Sequence, residues 1–318
     1  MRKKYNLKCS RIIVSVAIVA TFLATSLFAE VNVKEYTFRG GNESDRAEYF
    51  AQIKDVQLWG SGKYPEDTSF MGKMFKMSTA NIKFVLWCPG RIDPVTNEWR
   101  SAVGMVKPSK ANWYTNSFYN VRISGKNGSD YKTVIEEVKG GEDKGVVKIN
   151  WHHPDALVTV KFILLDGDDK LLAETKIQPK TDIKGYQIYL VCYPSSMAGG
   201  WKPGLKIRDR EALTSKRIIK RPKKEDNKGY ISVMLEKDEP WVLFYDKYFD
   251  VANNRGEGPC AVLYSPKEVN KVKLTVENYS CEIFLDYPAS TISHLMLWDF
   301  HGMTNQAAAE YMRNLEIK

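Results

Sequence analysis

Histidine and cysteine are scarce, four and five residues in a chain of 318, and that scarcity bounds the chemistry. No Cys or His spacing fits a structural zinc site. There is no Gly-x-Ser-x-Gly nucleophile elbow, phosphate-binding Gly-Lys-Ser/Thr loop, dinucleotide fingerprint or His-Glu-x-x-His pair, which removes the signatures of serine hydrolases, P-loop proteins, dinucleotide enzymes and zinc proteases. No apolar run long enough to span a bilayer follows residue 29. Internal repeats of fixed period and low-complexity linkers are also missing.

The opening segment is different in kind. Arg2, Lys3, Lys4, Lys8 and Arg11 precede an uncharged apolar stretch from Ile12 to Ala29, the order in which export machinery reads a secretory signal. Residues 1–29 are therefore expected to be a signal peptide, with the cut after Ala29 or near Ala24-Thr25-Ser26, and the protein is expected to be secreted or periplasmic. If the segment were kept, it would be the chain's one membrane contact. Cys9 lies among the basic residues and not at a cleavage position, which argues against a lipid-modified cysteine. Five of the 47 Lys and Arg leave with this segment, so the formal charge falls from +9 to +4. The pI of about 9.1 is thus largely a property of the leader, and no nucleic-acid partner is expected.

Four cysteines remain beyond the leader: Cys88, Cys192, Cys260 and Cys281. In an oxidising compartment an even number permits two disulfides in any of three pairings. Buried free thiols are the alternative, because Cys88, Cys192 and Cys281 sit in or beside apolar strand patterns.

From Val31 onward, short runs rich in Val, Ile, Phe, Tyr and Trp alternate with clusters of Gly, Asn, Asp and Pro, as in antiparallel sheets. Strands are predicted at 81–87, 99–106, 118–124, 146–151, 157–165, 186–192, 230–235, 241–245, 260–264, 272–277, 281–287 and 292–300. Lys126-Asn127-Gly128-Ser129, Lys139-Gly140-Gly141-Glu142 and Asp166-Gly167-Asp168-Asp169 supply hairpin chemistry. Val272, Leu274 and Val276 share a dry face opposite Lys271, Lys273 and Thr275, and sheets of that kind must pack in pairs. The expected fold is all-β: a large antiparallel β-sandwich of two packed sheets with a short C-terminal helix over 305–315, capped by Thr304. A second short helix is predicted at 46–54. Residues 30–318 are expected to form one domain. Any sub-boundary falls near 202–228, a charged stretch read here as a long loop.

Several clusters could carry function. Lys220 and Arg221 lie in a dense basic run with Lys216, Arg217, Lys223 and Lys224, preceded by Lys202, Lys206, Arg208 and Arg210. Outside a cell such charge attracts anionic polysaccharide, although Asp209, Glu211, Glu225 and Asp226 offset part of it. Trp99, Trp113, Tyr114 and Trp201 stand beside turn residues, where aromatic rings could stack on sugars or simply fill the core. The catalytic candidates are His294, Asp299 and His301, since a His beside a carboxylate can serve in acid/base work. His152 and His153 are adjacent in an extended run and point to opposite faces. Asp246, Asp250, Asn253, Asn254 and Glu257 form an oxygen-rich loop that could hold calcium, the one metal the sequence suggests. Its spacing does not match the calcium-loop motif.

These features favour an exported protein that binds carbohydrate, including anionic polysaccharide, at aromatic and basic loop residues, without a cofactor. The alternatives are a polysaccharide lyase or sugar epimerase using Tyr, His, Lys and Arg, and an envelope structural or protein-interaction domain.

Overall fold

The computed structural model describes residues 30–52, 64–106, 113, 117–195, 208–222 and 229–315. Residues 1–29, expected above to be a signal peptide, and Tyr114, Trp201, Lys202, Lys206, Lys223 and Lys224 lie outside these residues.

In chain order the first strands are β1 (Asn32–Arg39), β2 (Phe70–Ser78), β3 (Lys83–Ile92), β4 (Trp99–Ser101), β5 (Gly104–Met105), β6 (Tyr119–Ile123) and β7 (Lys126–Asn127). Next come β8 (Thr133–Lys139), β9 (Lys144–His153), β10 (Ala156–Leu165), β11 (Leu171–Pro179), β12 (Gly185–Cys192), β13 (Arg210–Thr214) and β14 (Ile218–Lys220). The last are β15 (Ile231–Met234), β16 (Trp241–Asp246), β17 (Cys260–Tyr264), β18 (Lys271–Val276), β19 (Cys281–Pro288) and β20 (Ser293–Asp299). The helices are α1 (Glu43–Gln52) and α2 (Asn305–Arg313).

The strands form three antiparallel sheets. A nine-stranded sheet runs β14-β13-β16-β17-β20-β11-β10-β9-β8, a six-stranded sheet runs β15-β18-β19-β12-β6-β7, and a five-stranded sheet runs β1-β2-β3-β4 with β5 also on β3. The all-β sandwich and its terminal helix are as the pattern predicts, with the five-stranded sheet added to the two expected. All three feed one core. Val158, Val160 and Phe162 of β10 meet Ile188 and Leu190 of β12 and Ile283 and Leu285 of β19, while Phe75, Met77, Phe84 and Leu86 enter from the third sheet. Burying each such side chain contributes about 1.5–3 kcal/mol. Tyr119 and Thr175 share a hydroxyl hydrogen bond of 2.7 Å across the two large sheets.

On its other face the nine-stranded sheet is covered by α2, whose Ala308 and Met312 pack with Leu213, Leu243, Ala261 and Trp298. Thr304 accepts from the Ala307 N–H at 3.1 Å and caps this helix as expected. The first helix starts earlier than predicted because the Asn42 carboxamide accepts from the Ser44 and Asp45 N–H groups and fixes its beginning.

Two expectations are corrected. The stretch near 202–228 contains β13, every residue of which is buried; its charge hid a strand because Arg210 and Glu211 find partners inside the fold. The β6–β7 hairpin turns at Ser124 and Gly125, with φ of 51° and 77°, and not at 126–129. Two successive left-handed residues suit the right-handed twist of a two-residue hairpin, and Gly125 adopts that shape without strain.

Candidate functional site

Among the described residues, those singled out by sequence do not meet at one place. His294 opens β20 and His301 follows its end. The His294 ring faces Glu268 at 3.0 Å and Glu174 at 3.9 Å, whereas His301 Nδ1 lies 3.0 Å from the Glu257 carbonyl oxygen. The two rings therefore belong to opposite ends of one strand.

Trp113 is fully buried, and its indole N–H donates to the Trp298 carbonyl at 3.2 Å. It is a core side chain with no ring face open to a sugar. Trp99 is also buried and donates to Met71 O at 2.7 Å. The described part of the basic run is largely engaged. Arg221 is buried and donates to the Gly229 and Arg208 carbonyls, and Lys220 lies 3.9 Å from Glu211. Lys216 pairs with Glu236 and Asp238, and Arg217 with Glu239 at 2.9 Å.

The oxygen-rich loop serves its own backbone. Asp246 Oδ1 accepts from the N–H groups of Asp209, Tyr248 and Phe249, and Asp250 Oδ1 accepts from Ala252 and Asn305. The Glu257 backbone carbonyl accepts from Gly302 N–H. Among the described residues no group of three His, Cys, Asp or Glu is placed to hold a metal ion.

A different set of side chains does converge, on the outer face of the six-stranded sheet. Alternation dictates which residues appear there. Tyr186, Ile188 and Leu190 of β12 and Cys281, Ile283, Leu285 and Tyr287 of β19 point into the core, so Gln187, Tyr189, Glu282, Phe284 and Asp286 point out. Register then sorts the outward residues into lateral rows. One row reads Lys271, Asp286, Gln187, Arg122 and Asn127. The next reads Met234, Lys273, Phe284, Tyr189 and Asn120. A third reads Ser232, Thr275, Glu282 and Val191.

The middle row is a stack seen from its edge. Tyr189 and Phe284 lie with ring centroids 4.5 Å apart and planes 14° from parallel. Arg122 sits 4.4 Å from the Tyr189 centroid and Lys273 5.4 Å from that of Phe284, each able to contribute about 0.5–1 kcal/mol at an exposed position. The ring faces are thus covered, and the stack offers edges and the Tyr189 hydroxyl. That hydroxyl donates to Glu282 at 2.7 Å.

Beside the stack is a recess of about 430 Å³, where Asn120, Arg122, Tyr189, Tyr279, Glu277 and Glu282 come together. Arg122 Nε donates to the Asn127 carboxamide at 2.9 Å, which aims the guanidinium, and Ser117 donates to Asn120 at 2.7 Å. Burial first, and then the Glu282 charge, hold the Glu277 carboxyl above its ordinary range. Burial and Glu282 likewise push the Tyr189 phenol up, so it stays protonated as a donor. The recess therefore mixes one cation, two carboxylates, amides and hydroxyls, an array suited to a ligand rich in hydroxyl groups.

Behind it, Tyr193 and Tyr279 meet edge to face at 4.9 Å. Arg210 supports both, with its guanidinium 5.7 Å from the Tyr193 centroid and a hydrogen bond to the Tyr279 carbonyl. Apart from Arg210, named with the basic run, none of these side chains was singled out from the sequence as a site residue. The available signal was an aromatic in the wet phase of an alternating strand: Tyr189 after Gln187, and Phe284 between Glu282 and Asp286.

No family model matches the chain, and no curated protein matches it. Among solved structures it is similar to the galactosidase domain of alpha-galactosidase-sucrose kinase, AgaSK, with a TM-score of 0.40 and 11% identity over 72% of this chain and 41% of that one. It is also similar to GH36 alpha-galactosidase AgaB from Geobacillus stearothermophilus, with a TM-score of 0.37 and 9% identity over 71% and 39% of the two chains. A third is the GH36 alpha-galactosidase AgaA from the same organism in complex with raffinose, with a TM-score of 0.37 and 9% identity over 72% and 41%. The chain thus spans about two fifths of the length of these structures. At such TM-scores no residue or activity of theirs is carried over to this one.

Proposed function

We propose that this protein binds a neutral carbohydrate on the outer face of the six-stranded sheet, in the recess bounded by Asn120, Arg122, Tyr189, Glu277 and Glu282. The observation that carries this reading is the convergence of these side chains, from three strands and a turn, in one concavity of about 430 Å³. That volume falls in the range of about 300–1,000 Å³ common for small-ligand sites. A sugar hydroxyl both donates and accepts, and here carboxylates accept while Arg122 and the amides donate.

A neutral sugar suits this recess better than a uronate or sulfated one, because Glu277 and Glu282 repel added negative charge. Exported location belongs to the same reading. Its support is the basic-then-apolar order of residues 1–29.

The decisive measurement is calorimetric titration against panels of neutral and uronate oligosaccharides, with Arg122→Ala and Glu282→Gln as controls. Binding to a neutral sugar that both substitutions weaken supports the assignment. Binding to no sugar, or binding untouched by either substitution, overturns it.

A second reading has one specific observation behind it. Glu277 and Glu282 line the same recess, and burial and then the Glu282 charge hold the Glu277 carboxyl above its ordinary range, as in the carboxylate pairs that perform acid/base chemistry on sugars. Release of new reducing ends or of unsaturated sugar by the wild-type protein, but not by Glu277→Gln, would favour that enzyme.

A further inference from the structure

A second concavity of about 460 Å³ adjoins the first on the same face. It is bordered by Lys184, Gln187, Asn270 and Asp286, by the Ser124–Gly125 turn, and again by Arg122. Arg122 lines both hollows. The two are therefore neighbours along the strands and not separate features of the surface.

Strand geometry sets their separation. Along β12, Gly185 and Gln187 border the second hollow, while Tyr189, Val191 and then Tyr193 border the first. From Gly185 to Tyr193 the chain advances by about 26 Å at roughly 3.3 Å per residue. One sugar ring does not bridge that length, and a chain of several does.

The second hollow also has the right chemistry. Asp286 accepts from the Gln187 amide at 2.8 Å, which orients both groups at the floor. Lys184 and Asn270 are exposed at the rim, and neither side chain has an ion pair or hydrogen bond to another described residue. Tyr186 and Tyr287 are buried and stacked on one another at 5.2 Å, so recognition here also rests on polar groups.

We infer that the two hollows are subsites of one groove that takes an oligosaccharide lying along the strands, with Arg122 at the junction and Lys184, Asn270 and Asp286 gripping the far units. This rests on the carbohydrate reading above and extends it from a single sugar to a chain.

The test is titration of the wild-type protein and a Lys184→Ala/Asn270→Ala double variant with malto-, cello-, manno- and galacto-oligosaccharides of one to six units. Affinity should rise about tenfold or more between one unit and four, which corresponds to roughly 1.4 kcal/mol. The double variant should lose that gain and keep the single-unit affinity. Affinity flat with chain length, or a gain that survives in the double variant, overturns the extended groove and leaves the single-sugar site standing. Absence of binding by every series at every length overturns both.

Discussion

Tyr189 and Phe284, 95 positions apart in sequence, face each other across β12 and β19 with their rings stacked at 4.5 Å. The pair holds the wall of the recess, and only the Tyr189 hydroxyl reaches Glu282. These two roles can be separated. Tyr189→Phe keeps the stack and removes the hydroxyl from the recess, so sugar affinity should fall about tenfold, the scale of one net hydrogen bond, with a smaller loss of thermal stability than removal of the ring. Tyr189→Ala should lower stability as well, by about 1 kcal/mol for the lost aromatic pair. Calorimetric titration and thermal denaturation of both variants distinguish the two effects. Equal loss of stability in both would show that the hydroxyl, and not the ring, holds the strands together.

The recess is anchored from behind by a buried ion pair. Arg210 and Asp246 are both almost fully buried, with Nε 3.8 Å from Oδ2. Burial raises the Asp246 carboxyl while Arg210 pulls it down. Removing one partner leaves the other charged without water, so Asp246→Ala should cost about 3–5 kcal/mol, and it also strips an acceptor from three backbone N–H groups. Urea denaturation checks this. A loss under 1 kcal/mol would mean that Arg210 finds relief elsewhere.

How much of this was legible follows from what sequence encodes locally and what it does not. The period-two pattern of β18, the strand-and-turn spacing and the Thr304 cap are local, and the fold class and terminal helix followed from them. Register is not local. Arg122, Tyr189 and Glu282 become neighbours only because β12 pairs with β6 on one side and β19 on the other. Sequence reasoning therefore looked for aromatics beside turns, where Trp113 proved to be core, and missed those in mid-strand. It also took the density of charge near residue 210 for a loop, although the Asp246 charge and a hydrogen bond to the Tyr279 carbonyl let Arg210 sit inside.

His153 makes stability fall on the acid side. It is buried, its Nδ1 accepts from the Asp155 N–H at 3.1 Å, and its ring meets Tyr131 edge to face. Burial lowers its pKa; Asp155 and Asp130 oppose this, and Lys126 and Lys180 reinforce it. The unfolded chain thus binds this proton more readily than the folded one, and linkage makes stability rise with pH across the window between the lowered folded value and the unfolded value of about 6.5. As pH drops through about 6.5, stability should decline. Thermal midpoints between pH 7.5 and 5 should show that decline in the wild type and a shallower one in His153→Gln. Identical slopes would assign the acid sensitivity to other groups.

The four thiols of the folded domain are Cys88, Cys192, Cys260 and Cys281, all free and buried. Burial raises every one of them above its ordinary value, and thiolate is the reactive form. Native protein should therefore resist iodoacetamide at neutral pH. The same protein unfolded in guanidinium, without reductant, should take up one label per thiol. Because Cys9 lies within residues 1–29, intact mass after labelling also tests the proposed export: four labels on the protein from the producing cell indicate that this segment is removed, and five that it is retained. Fewer than four labels without reductant, restored to four or five by reduction, would mean that at least one disulfide joins these cysteines in the protein from that cell. Cys192 and Cys281, directly opposite each other where β12 meets β19, would then be the pair to examine by peptide mapping.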